Sequence, residues 1–125
     1  MKKIISVIGL GYVGLPLAVA LSKKNNVIGF DVKKSRIKEL KAFKDSTLEV
    51  SSQALKASKK LTFTSSSSKI VGSDIFIATV PTPISSNNQP DLKLLKLACK
   101  TIGSSMKKGS IVVFESTVYP GCTEE

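Results

Sequence analysis

Residues 4–14 constrain this chain more than any other stretch. Ile4-Ile5-Ser6-Val7-Ile8 is a mostly β-branched run that ends on glycine, the pattern of a buried parallel strand. Gly9-Leu10-Gly11-Tyr12-Val13-Gly14 follows at once. From Val13 to Lys24, Val13, Leu17, Ala20 and Leu21 fall at helical spacing. In such a strand–turn–helix context each glycine has a separate task. Gly9 permits the tight turn, Gly11 removes a side chain that would bar a pyrophosphate from the backbone, and Gly14 lets the helix pack closely on the strand. The amides of Tyr12 and Val13, at the helix N-terminus, are placed to meet an anion there.

The rest of the chain keeps the alternation. Val27–Phe30 reads as a second strand ending at Asp31, twenty residues after Gly11. A carboxylate at that place accepts hydrogen bonds from adenosine ribose hydroxyls and repels a 2′-phosphate, so NAD is favoured over NADP. Ser35 to Phe43 reads as a helix with Ser35 or Asp31 as its cap, and a shorter helix is expected near Ser52–Lys59. Leu61–Thr64 fits an edge strand, Thr64–Ser68 a polar turn, and Asp74–Val80 another strand that stops at Pro81-Thr82-Pro83. Asp91 caps a helix running to about Lys107, with Leu92, Leu95, Ala98, Cys99 and Ile102 on one face, and Ile111–Phe114 is the last strand. Such a chain predicts an α/β, Rossmann-type, doubly wound and mostly parallel sheet of about five strands in the order 3-2-1-4-5. No repeat or internal boundary is visible, so residues 1–125 form one domain. A six-stranded sheet would need a further helix and strand, so the domain reads as part of something longer.

Composition excludes several other classes. The formal net charge is +10, from 19 basic and 9 acidic residues, yet Arg36 is the single arginine. With aromatics at 6% and no tryptophan, the chain lacks the guanidinium forks and stacking platforms of a nucleic-acid reader. The paired lysines (Lys23-Lys24, Lys33-Lys34, Lys59-Lys60, Lys107-Lys108) read as a solvated surface. There is no histidine, which rules out histidine-ligated metal and Ser-His or Cys-His catalysis within these residues. Cys99 and Cys122 form no zinc signature and no disulfide framework, consistent with a reducing, cytoplasmic setting. No apolar run nears the ~18 residues of a membrane span. The Lys2-Lys3-Ile4-Ile5 start is interrupted by glycines and followed by no cleavage pattern, so no signal peptide is expected.

Several further segments carry a family resemblance: Gly-Leu-Gly-Tyr-Val-Gly-Leu-Pro-Leu-Ala (9–18), Gly-Phe-Asp-Val (29–32), Val-Pro-Thr-Pro-Ile (80–84), Gln-Pro-Asp-Leu (89–92) and Glu-Ser-Thr-Val-Tyr-Pro-Gly-Cys-Thr-Glu-Glu (115–125). In this order they closely resemble the N-terminal domain of the UDP-glucose/GDP-mannose dehydrogenase family. Within it, the chain is most similar to the UDP-N-acetylglucosamine 6-dehydrogenases of capsule, Vi-antigen and O-antigen pathways.

The resemblance implies a cytoplasmic, homodimeric parent enzyme that oxidises the C6 hydroxyl of a UDP-sugar to a carboxylate. Two hydrides pass to two NAD molecules, with a cysteine holding the carbon as thiohemiacetal and then thioester. It also implies cofactor contacts from Gly9, Gly11, Tyr12, Val13, Gly14, Asp31, Arg36, Thr82, Thr117 and Thr123, and no metal. On the residues alone, Arg36 reads either as an adenine or phosphate contact or as an exposed helix residue, and Thr117 and Thr123 equally well as turn formers. No catalytic residue is expected here. The family's nucleophile lies in a Gly-Gly-His-Cys segment that this chain lacks, Cys122 does not match it, and Cys99 reads as core. Glu115 reads as a base near the nicotinamide or, more simply, as structural at a strand end. The alternative is a stand-alone dinucleotide-binding module or a non-catalytic remnant.

Overall fold

The computed structural model describes residues 3–11, 13–79 and 93–114, with side chains in the last segment from residue 96. Five strands, β1 (Ile4–Ile8), β2 (Asn26–Phe30), β3 (Leu61–Thr64), β4 (Ile75–Ala78) and β5 (Ile111–Phe114), form one sheet. Their order is β3-β2-β1-β4-β5 and every neighbouring pair is parallel, as the alternation predicts. The helices are α1 (Gly14–Leu21), α2 (Lys34–Lys41), α3 (Ser52–Ala57) and α4 (Lys93–Ser105), with a 3-10 turn at Ser67–Lys69.

The period-2 alternation of the strands supplies both faces of the sheet. Ile5 and Val7 of β1 join Leu15, Ala18, Ile37, Leu40 and Leu55 in one core, under α1, α2 and α3. Ile8, Phe76 and Ala78 join Ile70, Ala98 and Ile102 in the other, under α4. Ser6, fully buried on β1, is satisfied by Ser73, its hydroxyl 2.6 Å away.

The helices are shorter than their apolar patterns. α1 ends at Leu21, and the chain to Lys24 continues only as turns, with Ser22 N–H donating to the carbonyl of Ala18 at 3.0 Å. Pro16, in the first turn of α1, removes an N–H that has no intrahelical acceptor anyway. α2 is entered through Lys33 without a side-chain cap, not through Ser35 or Asp31. Ser51 does cap α3, its hydroxyl accepting from Ala54 N–H at 3.1 Å.

One expectation about exposure is overturned and one alternative is removed. Cys99 is exposed, because α4 turns Ala98, Ile102 and Ser105 inward and leaves Leu97 and Cys99 outside. Arg36, by contrast, is no exposed helix residue; only 7% of it is accessible.

Candidate functional site

The carboxyl ends of β1 and β2 open into a cleft of about 390 Å³. Its floor is the turn Gly9–Gly11, one wall is Asp31 to Arg36 together with Ser46 and Thr47, and the facing wall is Leu97, Ala98 and Thr101 of α4. This is the edge at which open α/β sheets take their ligands.

The three glycines do three different things. Gly9 has φ +98°, a left-handed backbone that L side chains rarely adopt, and its N–H donates to the carbonyl of Phe30 at 2.8 Å. A Cβ on Gly14 would collide with the carbonyl of Gly9 and with the Thr79 hydroxyl, so α1 starts pressed against the turn. A Cβ on Gly11 would meet no atom within 4 Å. Gly11 therefore faces open space at the mouth of α1, whose first turn carries no side-chain cap. Unpaired N–H groups and the helix dipole at that point favour an anion.

Asp31 is aligned by two backbone donors. Leu10 N–H gives to its Oδ2 at 3.0 Å and Lys33 N–H to its Oδ1 at 3.0 Å. The carboxylate, only partly buried, keeps acceptor capacity on the cleft side. Arg36 is occupied within the protein: Nε donates to the carbonyl of Leu10 at 2.7 Å, and Nη1 to Asp45 at 2.8 Å and Glu39 at 3.3 Å. Its Nη2 is the one buried side-chain polar atom among the described residues that lacks a partner.

Burial by itself would raise the carboxyl pKa of Asp45, but hydrogen bonds from Thr47, Arg36 and Val50 outweigh it and hold the group far below the usual carboxylate range. Glu39 is lowered too, the cost of its burial being exceeded by Ser46 and Arg36.

The structure thus brings Gly9, Gly11, Asp31 and Arg36 to one cleft, with Gly14 packed beneath the turn and Val13 at the start of α1. Tyr12, Thr82, Thr117 and Thr123 lie outside the described residues, as do Asp91, Glu115 and Cys122. Sequence reasoning missed Thr79, whose buried hydroxyl donates to the carbonyl of Gly9 at 2.6 Å and fixes the glycine turn to β4. It also missed Asp45, although Asp45-Ser46-Thr47 has the composition of an Asx turn. No group of three or more His, Cys, Asp or Glu able to hold a metal occurs among the described residues. No helix there is long and apolar enough to cross a membrane.

Comparison with known proteins agrees with this geometry. The family model described as "UDP-glucose/GDP-mannose dehydrogenase family, NAD binding domain" matches residues 3–125. The chain is 53% identical over 121 residues to a UDP-N-acetyl-D-glucosamine 6-dehydrogenase of Pseudomonas aeruginosa, covering 97% of this chain and 29% of that protein. It is 54% identical to the enzyme of the same name from Salmonella typhi, covering 97% and 28%. Among solved structures, a UDP-D-ManNAc dehydrogenase from Pyrococcus horikoshii superposes with TM-score 0.89 at 36% identity, covering 97% of this chain and 30% of that one. The chain therefore spans less than a third of the length of these relatives.

Proposed function

Because this chain belongs to the UDP-glucose/GDP-mannose dehydrogenase family, as its NAD binding domain, we propose that its cleft holds the adenosine and pyrophosphate portions of NAD for a UDP-N-acetylhexosamine 6-dehydrogenase. One arrangement carries the reading: the aligned carboxylate of Asp31 stands beside the open face of Gly11 and the uncapped start of α1, in one cleft. A ribose diol needs an acceptor pair, and a pyrophosphate needs backbone N–H groups with no side chain in the way; both lie within the same cavity.

In this reading Asp31 accepts from the ribose hydroxyls and its charge rejects a 2′-phosphate. Gly9, Gly11, Tyr12, Val13 and Gly14 form the pyrophosphate turn. Arg36 closes the adenosine end of the cleft. Thr82, Thr117 and Thr123 are assigned to the nicotinamide half from their family positions. Bound NAD supplies the hydride acceptor.

The parent enzyme, in the same proposal, is a cytoplasmic homodimer that oxidises the sugar C6 hydroxyl to a carboxylate in two NAD-dependent steps, for surface polysaccharide synthesis. Residues 1–125 are its cofactor domain, while the nucleophilic cysteine and the sugar site belong to other segments. In this proposal residues 1–125 bind NAD and supply none of the covalent chemistry.

Calorimetric titration with NAD and NADP tests the reading. NAD is expected to bind at least about tenfold more tightly than NADP, and Asp31→Ala to lower NAD affinity by a similar factor, the scale of one hydrogen-bonded charge. Equal affinity for the two cofactors, or an Asp31→Ala variant that binds NAD as the wild type does, would sink the assignment of Asp31.

A further inference from the structure

Leu10, the residue between the first two glycines, is gripped on both sides. Its N–H donates to Asp31 at 3.0 Å, its carbonyl accepts from Arg36 Nε at 2.7 Å, and its side chain is fully buried in the core beneath α1 and α2. Arg36 is aimed in turn by Asp45, 2.8 Å from Nη1, whose side chain has no accessible surface.

Asp45 also gathers its own loop. Its Oδ1 accepts from the N–H and hydroxyl of Thr47 at 2.9 and 2.6 Å, and its Oδ2 accepts from the N–H groups of Glu49 and Val50, both at 2.9 Å. The loop needs this anchor. It passes through left-handed backbone at Phe43 (φ 62°) and Leu48 (φ 59°), neither of them glycine. A buried carboxylate surrounded by donors has little freedom, and it passes that rigidity to whatever it orients.

The contacts run without a gap from the 44–50 loop through Asp45, Arg36 and Leu10 to Asp31. We infer that Asp45 is a positioning residue for cofactor recognition: by aiming Arg36 at the Leu10 carbonyl it fixes the residue whose N–H aligns the Asp31 carboxylate. The inference rests on the NAD reading above and deepens it. Asp45 touches no cofactor in this scheme. Its effect reaches the ribose through Asp31, and coupling to Asp31 separates it from a residue that merely supports the fold.

A double-mutant cycle on the protein at its natural length, with NAD as the titrant, tests the path. Asp45→Asn alone is expected to weaken NAD binding roughly three- to tenfold. In an Asp31→Asn background the same substitution is expected to have a clearly smaller effect, because the path to the ribose has lost its far end and only the contacts of Arg36 and Thr47 with the cleft remain. Two factors that multiply in the double variant would overturn the path and leave Asp45 as a loop anchor. Unchanged NAD affinity in folded Asp45→Asn would do the same. A wild type that does not bind NAD overturns the cofactor reading itself, an outcome distinct from either. Thermal melts report whether Asp45→Asn folds. If it does not, Arg36→Lys interrogates the same path, since it keeps the cation and the loop contacts of Asp45 but loses the bond to the Leu10 carbonyl. Coupling of Arg36→Lys to Asp31→Asn supports the path, and additivity rejects it.

Discussion

The two flanks of the sheet end differently. Beyond β2 and β3, the chain is tied down by side chains that reach across elements: Arg36 to Leu10 and Asp45, and Asp45 to its own loop. Beyond β4, the outer strand β5 keeps Ile111 and Phe114 each 53% exposed, and Leu97 of α4 and Met106 just after it are partly uncovered. One flank is held by a buried ion pair and the hydrogen bonds gathered on Asp45, while the other is held by more exposed polar contacts, Lys107 to Asp74 at 2.9 Å and the Ser110 hydroxyl to the Ser73 carbonyl at 2.9 Å, beside partly uncovered apolar residues. Recognition of an anionic, hydroxyl-bearing ligand demands groups held in place, and the polar groups of the cleft stand on the first flank while α4 contributes Leu97, Ala98 and Thr101. Among the described residues, the opposite flank keeps Ile111 and Phe114 of β5 exposed.

Substitutions on the two sides should separate this contrast cleanly. The largest effect is expected at Gly14→Ala, where the added methyl meets the Gly9 carbonyl and the Thr79 hydroxyl. A loss of about 3 kcal/mol in denaturant unfolding, with NAD binding abolished, is expected from such overpacking. A near-neutral result would mean that α1 slides easily and that the turn is not locked.

Asp45→Asn comes next, at about 2 kcal/mol, the scale of hydrogen bonds to a buried charged group. Its pH signature has a definite sign. A carboxyl whose folded pKa lies below its unfolded value, about 3.9 for Asp, stabilises fully above that value and loses its contribution as pH falls through the range beneath it. Urea midpoints measured between pH 6 and pH 2 should therefore fall more steeply in the wild type than in Asp45→Asn.

Thr79→Val is expected to cost about 1 kcal/mol, by removing one buried donor from the Gly9 carbonyl. Thermal melts at matched protein concentration would read it, and NAD affinity should fall with it because the turn is loosened. On the other flank the sign reverses. Gly103→Ala in α4 meets no atom within 4 Å and is expected to stabilise by about 0.5–1 kcal/mol, the helix-propensity gain, with cofactor affinity unchanged. Reduced NAD affinity in that variant would show that α4 moves during binding and would erase the division between a rigid side and a passive one.

Much of this was legible in the sequence, for a physical reason. Strand order, sheet direction and the roles of Gly9, Gly11 and Gly14 follow from short-range patterns, because a buried parallel strand and a glycine turn each write their requirements locally. Asp31 could be found because its distance from the turn is set by the length of one helix. Burial of Arg36 could not, since its partner Asp45 lies in an irregular loop whose path depends on tertiary hydrogen bonds. Thr79 escaped for a similar reason: it meets Gly9 only through the pairing of β1 with β4. The face of α4 was misjudged at Cys99 because Leu97, Ala98 and Cys99 are consecutive apolar residues, so the pattern leaves the helix phase open by one position. Burial of Ala98 and Ile102 settles that phase.

The hydrogen bond from Thr79 to Gly9 spans 70 residues of chain. Closing so long a loop costs entropy before any contact rewards it. During synthesis, a chain that has emerged only as far as β3 already contains all three glycines and Asp31, yet nothing from β4 pins its turn in place. The turn at the sheet's centre is therefore complete only once a segment far along the chain has joined it.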